Sequence, residues 1–409
     1  MKKTFVFALA LAALLLTAVH VPAGEPDPVR IAIIFPMSGA NADSGKQNAD
    51  GCALAVKHIN DAGGIKSLGG AKLELVIADI MSDTNQCKAV AERVMQDKSI
   101  LAVTGASSSA FVLPMLQVFE KARTPFITAQ VAPAITGQGY QYVFETTAIA
   151  PENAKAQIGF LQYIIKKYDL DLKKVGVVYE NTEYGQSNAS SAAKMVEEAG
   201  LEVVFNESFP IGIPDASALI VSLKNSGAQV MIPSCYAQDA KTLTTAMRSL
   251  NYSPVIIGGG AGFLLPAFAA ELGDGVEGII SSASGNWDSR NIQENPRFKM
   301  VPEDFKKTYG EFMTEQSVAS YNIIWMLSQA LEKTGSRDKT QLRDAIRALQ
   351  IDTFTVGGPQ KFNENGYNTN ALALMVQWQK QEDGSFIPRT VYPEEYTTTE
   401  YILPEMLRK

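Results

Sequence analysis

The stretch of sequence that decides the fold is residues 100–110, ILAVTGASSSA. Its first five residues predict the end of a buried strand, and Gly105 and Ala106 predict a turn. The amphipathic pattern that follows predicts a helix over residues 110–122. A buried strand that leads through a glycine turn into a helix is the repeating unit of a parallel α/β sheet.

Three consecutive serines, Ser107, Ser108 and Ser109, stand at the start of that predicted helix. Backbone N–H groups at a helix start lack partners within the helix and carry a partial positive charge. A small anion such as a ligand carboxylate can therefore bind there without a lysine or an arginine. A serine in this position commonly only caps the helix, and that alternative stays open. Because one cap needs one hydroxyl, three of them favour a ligand-binding turn.

The same alternation of strand and helix runs outward from this stretch in both directions. The predicted strands are residues 29–35, 72–78, 100–104, 125–128, 174–179, 201–206, 230–234 and 255–257. Continuous apolar strands spaced by amphipathic helices indicate parallel sheets that are covered on both faces. The predicted fold class is therefore α/β, with two Rossmann-like β/α lobes.

The order of these elements also predicts how the chain divides between the lobes. The helices past residue 278 lack enough strands for a third sheet, so we expect them to return to the first lobe. Lobe 1 is predicted to comprise residues 24–146 and 279–353, and lobe 2 residues 147–278 and 354–409, with a terminal hairpin. The chain then crosses between the lobes several times, which makes a hinge and leaves a cleft as the natural ligand site.

The N-terminus has the composition of a secretory signal peptide, predicted to cover residues 1–23. Lys2 and Lys3 precede an apolar run over residues 5–16 that is too short to cross a bilayer, and small residues follow it. Since no cysteine lies near the cleavage point, we expect no lipid anchor. The mature chain is expected to be soluble and exported.

Charge and histidine content exclude several classes of function. The net charge is −7, and removal of Lys2 and Lys3 makes it −9, which disfavours nucleic-acid binding. The chain has two histidines, and His20 leaves with the signal peptide, so His58 alone remains. With one histidine left, the sequence offers almost no residues for a Ser–His–Asp triad or a histidine-based zinc site. We therefore expect neither an enzyme nor a metal or cofactor site.

The three cysteines, Cys52, Cys87 and Cys235, permit at most one disulfide. Cys52 and Cys87 lie in the same half of the chain, and the sequence leaves open whether they pair.

Two tyrosines and a glycine-rich stretch complete the candidate site residues. Tyr184 and Tyr236 each follow a predicted strand of the second lobe, at the carboxyl end where open α/β sheets bind ligands. Residues 258–262, GGGAG, follow another strand but do not fit the dinucleotide-binding pattern. We interpret that stretch as a close-packed turn at the rim of the cleft.

The chain resembles the periplasmic solute-binding proteins of branched-chain amino-acid ABC transporters, the leucine/isoleucine/valine-binding family. The marks of this resemblance are residues 35–39 (FPMSG), 59–65 (INDAGGI), 133–136 (PAIT) and 305–310 (FKKTYG). A further mark is the run of three serines at residues 107–109, called the serine turn below. It implies the type I periplasmic binding protein fold and an exported protein that captures a small organic solute by hinge closure. The partner implied is the membrane permease of the transporter, and we expect a monomer in the periplasm. The alternative is a ligand-sensing receptor or regulatory protein on the same fold, which we disfavour because the sequence ends without a membrane span.

The resemblance also implies a set of ligand-binding residues. The α-carboxylate is expected at Ser108, assisted by groups after the fourth strand, and tyrosines are expected from the second lobe. The full set is Ser107, Ser108, Ala129, Gln130, Val131, Tyr184 and Tyr236.

Two departures from the family pattern bear on the ligand. Val131 stands where the amino-acid binders carry a hydroxyl, which Thr128 or Gln130 can replace. The acidic residue that binds the ammonium group falls within residues 258–262, where this chain has no acid. Either Glu183 or Asp239 takes that role, or the ligand has no ammonium group. We favour the second, a carboxylate or amide with aromatic acids among the candidates.

Overall fold

The first lobe is built on a sheet of five parallel strands. The computed structural model describes residues 26–260, 262–354, 356–404 and 407, so the predicted signal peptide lies outside the described residues. The strands are β1 (Val29–Phe35), β2 (Leu73–Asp79), β3 (Ile100–Gly105), β4 (Phe126–Thr128) and β5 (Val143–Glu145). Their order across the sheet is β2-β1-β3-β4-β5, and every neighbouring pair is parallel.

The second lobe is built on a sheet of seven strands. They are β6 (Lys174–Glu180), β7 (Glu202–Phe209), β8 (Val230–Ser234), β9 (Val255–Gly258), β10 (Ile280–Ala283), β11 (Leu374–Lys380) and β12 (Phe386–Tyr392). The order is β12-β11-β10-β9-β8-β6-β7, with β6 to β10 parallel. β11 is antiparallel to β10 and pairs with β12 as a hairpin, which confirms the predicted terminal hairpin.

Thirteen α-helices lie in the described part of the chain. They are α1 (Ala42–Asp61), α2 (Thr84–Val94), α3 (Ser109–Val112), α4 (Leu116–Lys121), α5 (Ala150–Tyr168), α6 (Glu183–Glu198), α7 (Ser217–Asn225), α8 (Ala237–Ser249), α9 (Pro266–Leu272), α10 (Arg290–Gln293), α11 (Val301–Tyr309), α12 (Glu315–Thr334) and α13 (Lys339–Arg347). Within this part, no helix combines the length and apolar character needed to span a bilayer.

Alternation along the strands covers both faces of the first sheet. Ile31 and Ile33 of β1 point into one core, whereas Ala32 and Ile34 point into the other. α1, α11, α12 and α13 fill the first core, and α2, α3 and α4 fill the second. α11, α12 and α13, which follow residue 278, therefore pack on the first sheet.

The bounds of the lobes differ locally from the prediction. β10 lies in the second sheet, although residue 279 was the predicted start of the return to lobe 1. Phe362, predicted in lobe 2, packs edge-on against Phe144 of the first lobe with ring centroids 5.2 Å apart. Tyr367 forms an isolated bridge with Glu145 at the end of β5. Residues predicted in lobe 2 thus contact the first lobe at this crossing.

The predicted helix over residues 110–122 is interrupted. α3 ends at Val112, a 3-10 turn covers Leu113–Met115, and α4 begins at Leu116. Pro114 explains the break, because proline lacks an N–H donor and its ring clashes with the preceding helical turn. The helix that follows the serine turn is therefore too short to supply the N-terminal charge that a long helix would.

All three cysteines are free and buried. Cys52 on α1 lies in the core that α12 shares, with its sulfur 4.0 Å from the Ser320 carbonyl oxygen. Cys87 on α2 lies in the core on the opposite face of the sheet. The disulfide that the sequence left open is therefore not formed.

Candidate functional site

The candidate site is a cavity between the lobes, at the edges where the carboxyl ends of the parallel strands face each other. Its lining residues come from both lobes. Six of the seven residues predicted to bind the ligand line it: Ser107, Ala129, Gln130, Val131, Tyr184 and Tyr236. The seventh, Ser108, contacts Tyr236. The fold thus brings the predicted residues together, while their role in binding stays a prediction.

The serine turn divides its hydroxyls between two tasks. Ser108 caps α3, because its Oγ accepts a hydrogen bond from the Ala110 N–H at 3.2 Å. Ser107 Oγ is buried and has no hydrogen-bond partner among the described residues, yet Ser107 lines the cavity. The capping alternative therefore holds for Ser108, and Ser107 keeps a hydroxyl free for a ligand.

The turn reaches its position because β3 passes very close to β1. A Cβ on Gly105 would lie 2.3 Å from the Ile34 carbonyl oxygen, so a side chain there would force the two strands apart. Gln130, after β4, ties the neighbouring loop to the turn by donating from Nε2 to the Ala106 carbonyl oxygen at 2.7 Å. Thr128 is fully buried and does not line the cavity, so of the two replacements proposed for a hydroxyl at Val131 only Gln130 is in place.

Tyr184 and Tyr236 form one wall of the cavity from the second lobe. Their rings are stacked, with centroids 5.0 Å apart and planes 28° apart. Tyr184 donates its hydroxyl to the Gly259 carbonyl oxygen at 2.5 Å. The Tyr236 hydroxyl and Ser108 Oγ lie 2.7 Å apart, so a hydrogen bond joins the two lobes here. Burial raises the pKa of both tyrosines, which keeps the hydroxyls neutral.

Glu180, the last residue of β6, supports this wall from behind. Its Oε1 accepts from the Thr182 hydroxyl at 2.8 Å, and its Oε2 accepts from the Tyr236 N–H at 3.1 Å. Burial raises the pKa of Glu180 to about 7. The carboxyl fixes the main chain of Tyr236 and does not line the cavity.

The glycine-rich stretch after β9 is a close-packed turn that lines the cavity, as expected. A Cβ on Gly259 would lie 2.9 Å from Ser234 Oγ and 3.3 Å from the Tyr184 hydroxyl. Gly260 has φ +99°, a conformation that favours glycine. Side chains at these positions would collide with the tyrosine wall or strain the turn.

An acidic residue that the sequence analysis missed lies in the cavity wall. Glu315 is the first residue of α12, and its Oε1 accepts from both the N–H and the hydroxyl of Ser284 at 2.7 Å. Its Oε2 lies 3.8 Å from the point that a Cβ on Gly260 would occupy. Burial raises the pKa of Glu315, and the two hydrogen bonds from Ser284 act against that rise. The cavity therefore contains a buried carboxyl group.

Neither of the two acids named from the sequence takes this position. Glu183, at the start of α6, is exposed. Asp239 accepts from the Gly212 and Ile213 N–H groups, both at 3.0 Å, and so orders a loop of the second lobe. The favoured interpretation, a ligand without an ammonium group, rested on the absence of an acid at the site, and Glu315 removes that reason. The only sequence signal for Glu315 is the helix start Thr314-Glu315-Gln316, which follows the second crossing of the chain between the lobes.

The described residues contain no cluster of histidine, cysteine or acidic side chains suited to a metal ion. His58 is half-buried on α1, 3.0 Å from the Tyr321 hydroxyl, and does not line the cavity.

Comparison with known proteins gives consistent results. The family model described as periplasmic binding protein matches residues 28–384. The Leu/Ile/Val-binding protein homolog 8 of Brucella abortus (strain 2308) is 32% identical over 375 residues, which cover 90% of this chain and 91% of that protein. A leucine binding protein from Thermotoga maritima has a similar structure, with a TM-score of 0.76 and 23% identity, covering 90% of this chain and 99% of that one. A fatty acid ABC transporter substrate-binding protein from Thermomonospora curvata reaches a TM-score of 0.74 at 20% identity, covering 93% and 97% of the two chains.

Proposed function

Because this chain belongs to the periplasmic binding protein family, among the substrate-binding proteins of branched-chain amino-acid type ABC transporters, we propose that it captures an amino acid in the cavity between its lobes. Proteins of this group are binding proteins, not enzymes. In our proposal the chain is exported to the periplasm, acts as a monomer and delivers its ligand to a membrane permease.

The carboxylate end of the ligand is assigned to the serine turn. Ser107 offers a buried hydroxyl without a partner in the described part of the chain. A charged acceptor makes a stronger hydrogen bond to a hydroxyl than a neutral acceptor does. Gln130 and Val131 line the cavity beside it and close the carboxylate off from solvent.

The ammonium end is assigned to Glu315, and this residue carries the proposal. An ammonium group buried without a carboxylate costs several kcal/mol, and a carboxylate buried without a cation costs a similar amount. Their mutual attraction offsets part of both costs. A leucine binding protein and a fatty acid transporter substrate-binding protein both share this fold, so the fold by itself does not decide whether the ligand has an ammonium group.

Closure of the lobes completes the mechanism. The Ser108–Tyr236 hydrogen bond and the Ser284–Glu315 contact both join the two lobes at the cavity. A ligand that touches both lobes binds the closed form better than the open form, and it shifts the equilibrium by that difference in affinity.

The test is the substitution Glu315→Gln in the mature protein. We expect the affinity for the best-binding L-amino acid to fall at least about 30-fold, since the loss of one partner of a buried charge pair costs about 2 kcal/mol or more. Affinity for the matching 2-hydroxy acid, which lacks the ammonium group, should change by less than about threefold. Isothermal titration calorimetry measures both.

Glu183→Gln is the matched control, because Glu183 is an exposed carboxylate outside the cavity. Equal amino-acid affinity in Glu315→Gln and Glu183→Gln would refute the assignment of the ammonium group to Glu315.

A further inference from the structure

The wall of the cavity contains buried polar groups that the two charged ends of an amino acid do not use. Ser282 and Gln316 both line it, and their side chains are 1% and 8% exposed. Within the described ranges, neither Ser282 Oγ nor Gln316 Oε1 has a hydrogen-bond partner. Because buried polar groups in folded proteins are nearly always hydrogen-bonded, these two atoms, which face the cavity, are available to bind a ligand.

Apart from the two tyrosine rings, the wall contains few aliphatic side chains. Among the described residues that line the cavity, Val131 is the only branched aliphatic one, and Ala129 and Ala319 add only methyl groups. Asn153 adds a further buried amide, and Asn48 adds another whose hydrogen bonds go to Ser44 and Ser320. A leucine or valine side chain in this cavity would therefore lie against hydroxyl and amide groups that it cannot satisfy, a cost that sites built for hydrogen bonding use to reject apolar analogues.

The charges of the wall limit the ligand further. Apart from the neutral tyrosines, Glu315 is the one ionisable side chain among the described lining residues. Since the ammonium group is assigned to Glu315, no countercharge is left for a charged side chain.

We propose that the ligand is an amino acid with a neutral, hydrogen-bonding side chain, a hydroxyl or a primary amide, which Ser282 and Gln316 bind. This inference rests on the proposed function, because it assumes that Ser107 and Glu315 hold the two charged ends. It departs from what the names of the Leu/Ile/Val-binding relatives suggest.

Two pairs of amino acids of equal shape test it on the unmodified mature protein. Asparagine matches leucine, and threonine matches valine, so each pair differs only in polar atoms. We expect the polar member of at least one pair to bind at least about 100-fold more tightly in calorimetry. Equal or tighter binding of leucine and valine would overturn this inference and leave the proposed function standing. If no amino acid binds while simple carboxylic acids do, the proposed function fails instead, and this inference with it.

Variants assign the effect to the two side chains. Ser282→Ala and Gln316→Met should each reduce the ratio of polar to apolar affinity at least about tenfold. Ser234→Ala and Gln360→Met are the matched controls, because both side chains are buried and have unpartnered polar atoms in the described chain but do not line the cavity. Unchanged ratios in Ser282→Ala and Gln316→Met would contradict the proposal, and should one of them fail to fold, the other and the unmodified protein decide it.

Discussion

At the scale of single residues, proximity to a strand end decided what the sequence was able to predict. Ser107 and the two tyrosines follow strands directly, and parallel strands present their carboxyl ends at one edge. Glu315 follows no strand, since it begins a helix after the chain has crossed between lobes. The different tasks of Ser107 and Ser108 were also beyond prediction, because they depend on turn geometry that three identical side chains do not reveal.

Glu180 makes the stability of the protein depend on pH. Its pKa rises from 4.5 to about 7 on folding because of burial. A raised carboxyl pKa means that this group stabilises the fold fully below about pH 4.5, and that the contribution is lost as the pH rises towards 7. The loss amounts to about 3 kcal/mol. Urea unfolding at about pH 4.5 and about pH 8 measures this loss as a decrease in the free energy of unfolding. In Glu180→Gln that decrease should be smaller than in the unmodified protein by about this amount.

Glu183→Gln, which alters an exposed carboxylate three residues away, serves as the control. If Glu180→Gln and the unmodified protein have the same pH dependence, the buried carboxyl does not titrate as described.

At the scale of elements, long apolar runs were predicted well and short or polar ones were missed. β1 was predicted with its observed bounds, because seven residues with a clear pattern suffice. β5 has three residues, and β10 reads ISSA, so neither has a hydrophobic pattern that separates a strand from a loop. Pro114 was visible in the sequence, and its effect on the helix after the serine turn was underestimated.

The cap of α13 offers a test of an element that lies away from the cavity. Asp338 accepts hydrogen bonds from the Thr340 and Gln341 N–H groups at 3.0 and 2.8 Å. Asp338→Ala should lower the free energy of unfolding by about 1 kcal/mol, with no change in ligand affinity. Asp338→Asn retains an acceptor and should lower the free energy of unfolding by only a few tenths of the Asp338→Ala value. Equal stabilities of the two variants in urea unfolding would show that the cap contributes nothing.

At the scale of the whole molecule, the sequence predicted two lobes and a hinge but not the path between them. Counting strands sends the late helices back to the first lobe, since they have no sheet of their own. The number of strands gives no information on where the chain leaves the first lobe. Phe362, predicted in lobe 2, packs on Phe144 of the first lobe. The site is formed where these crossings bring α12 beside the second sheet. The sequence does not reveal this contact, and Glu315 was therefore not predicted as a site residue.

The two residues assigned to the charged ends of the ligand, Ser107 and Glu315, belong to the first lobe, and the tyrosine wall belongs to the second. The order of events during capture follows from that division: the ligand docks on one lobe, and the other lobe then closes over it. Substitutions in the first lobe should therefore change the association rate of the ligand, and substitutions in the second lobe should change its dissociation rate. Tyr236→Phe, which removes the hydrogen bond to Ser108, should raise the dissociation rate about tenfold and leave the association rate within about twofold in stopped-flow measurements. A slower association with unchanged escape would reverse the order, and the second lobe would then be the one that meets the ligand first.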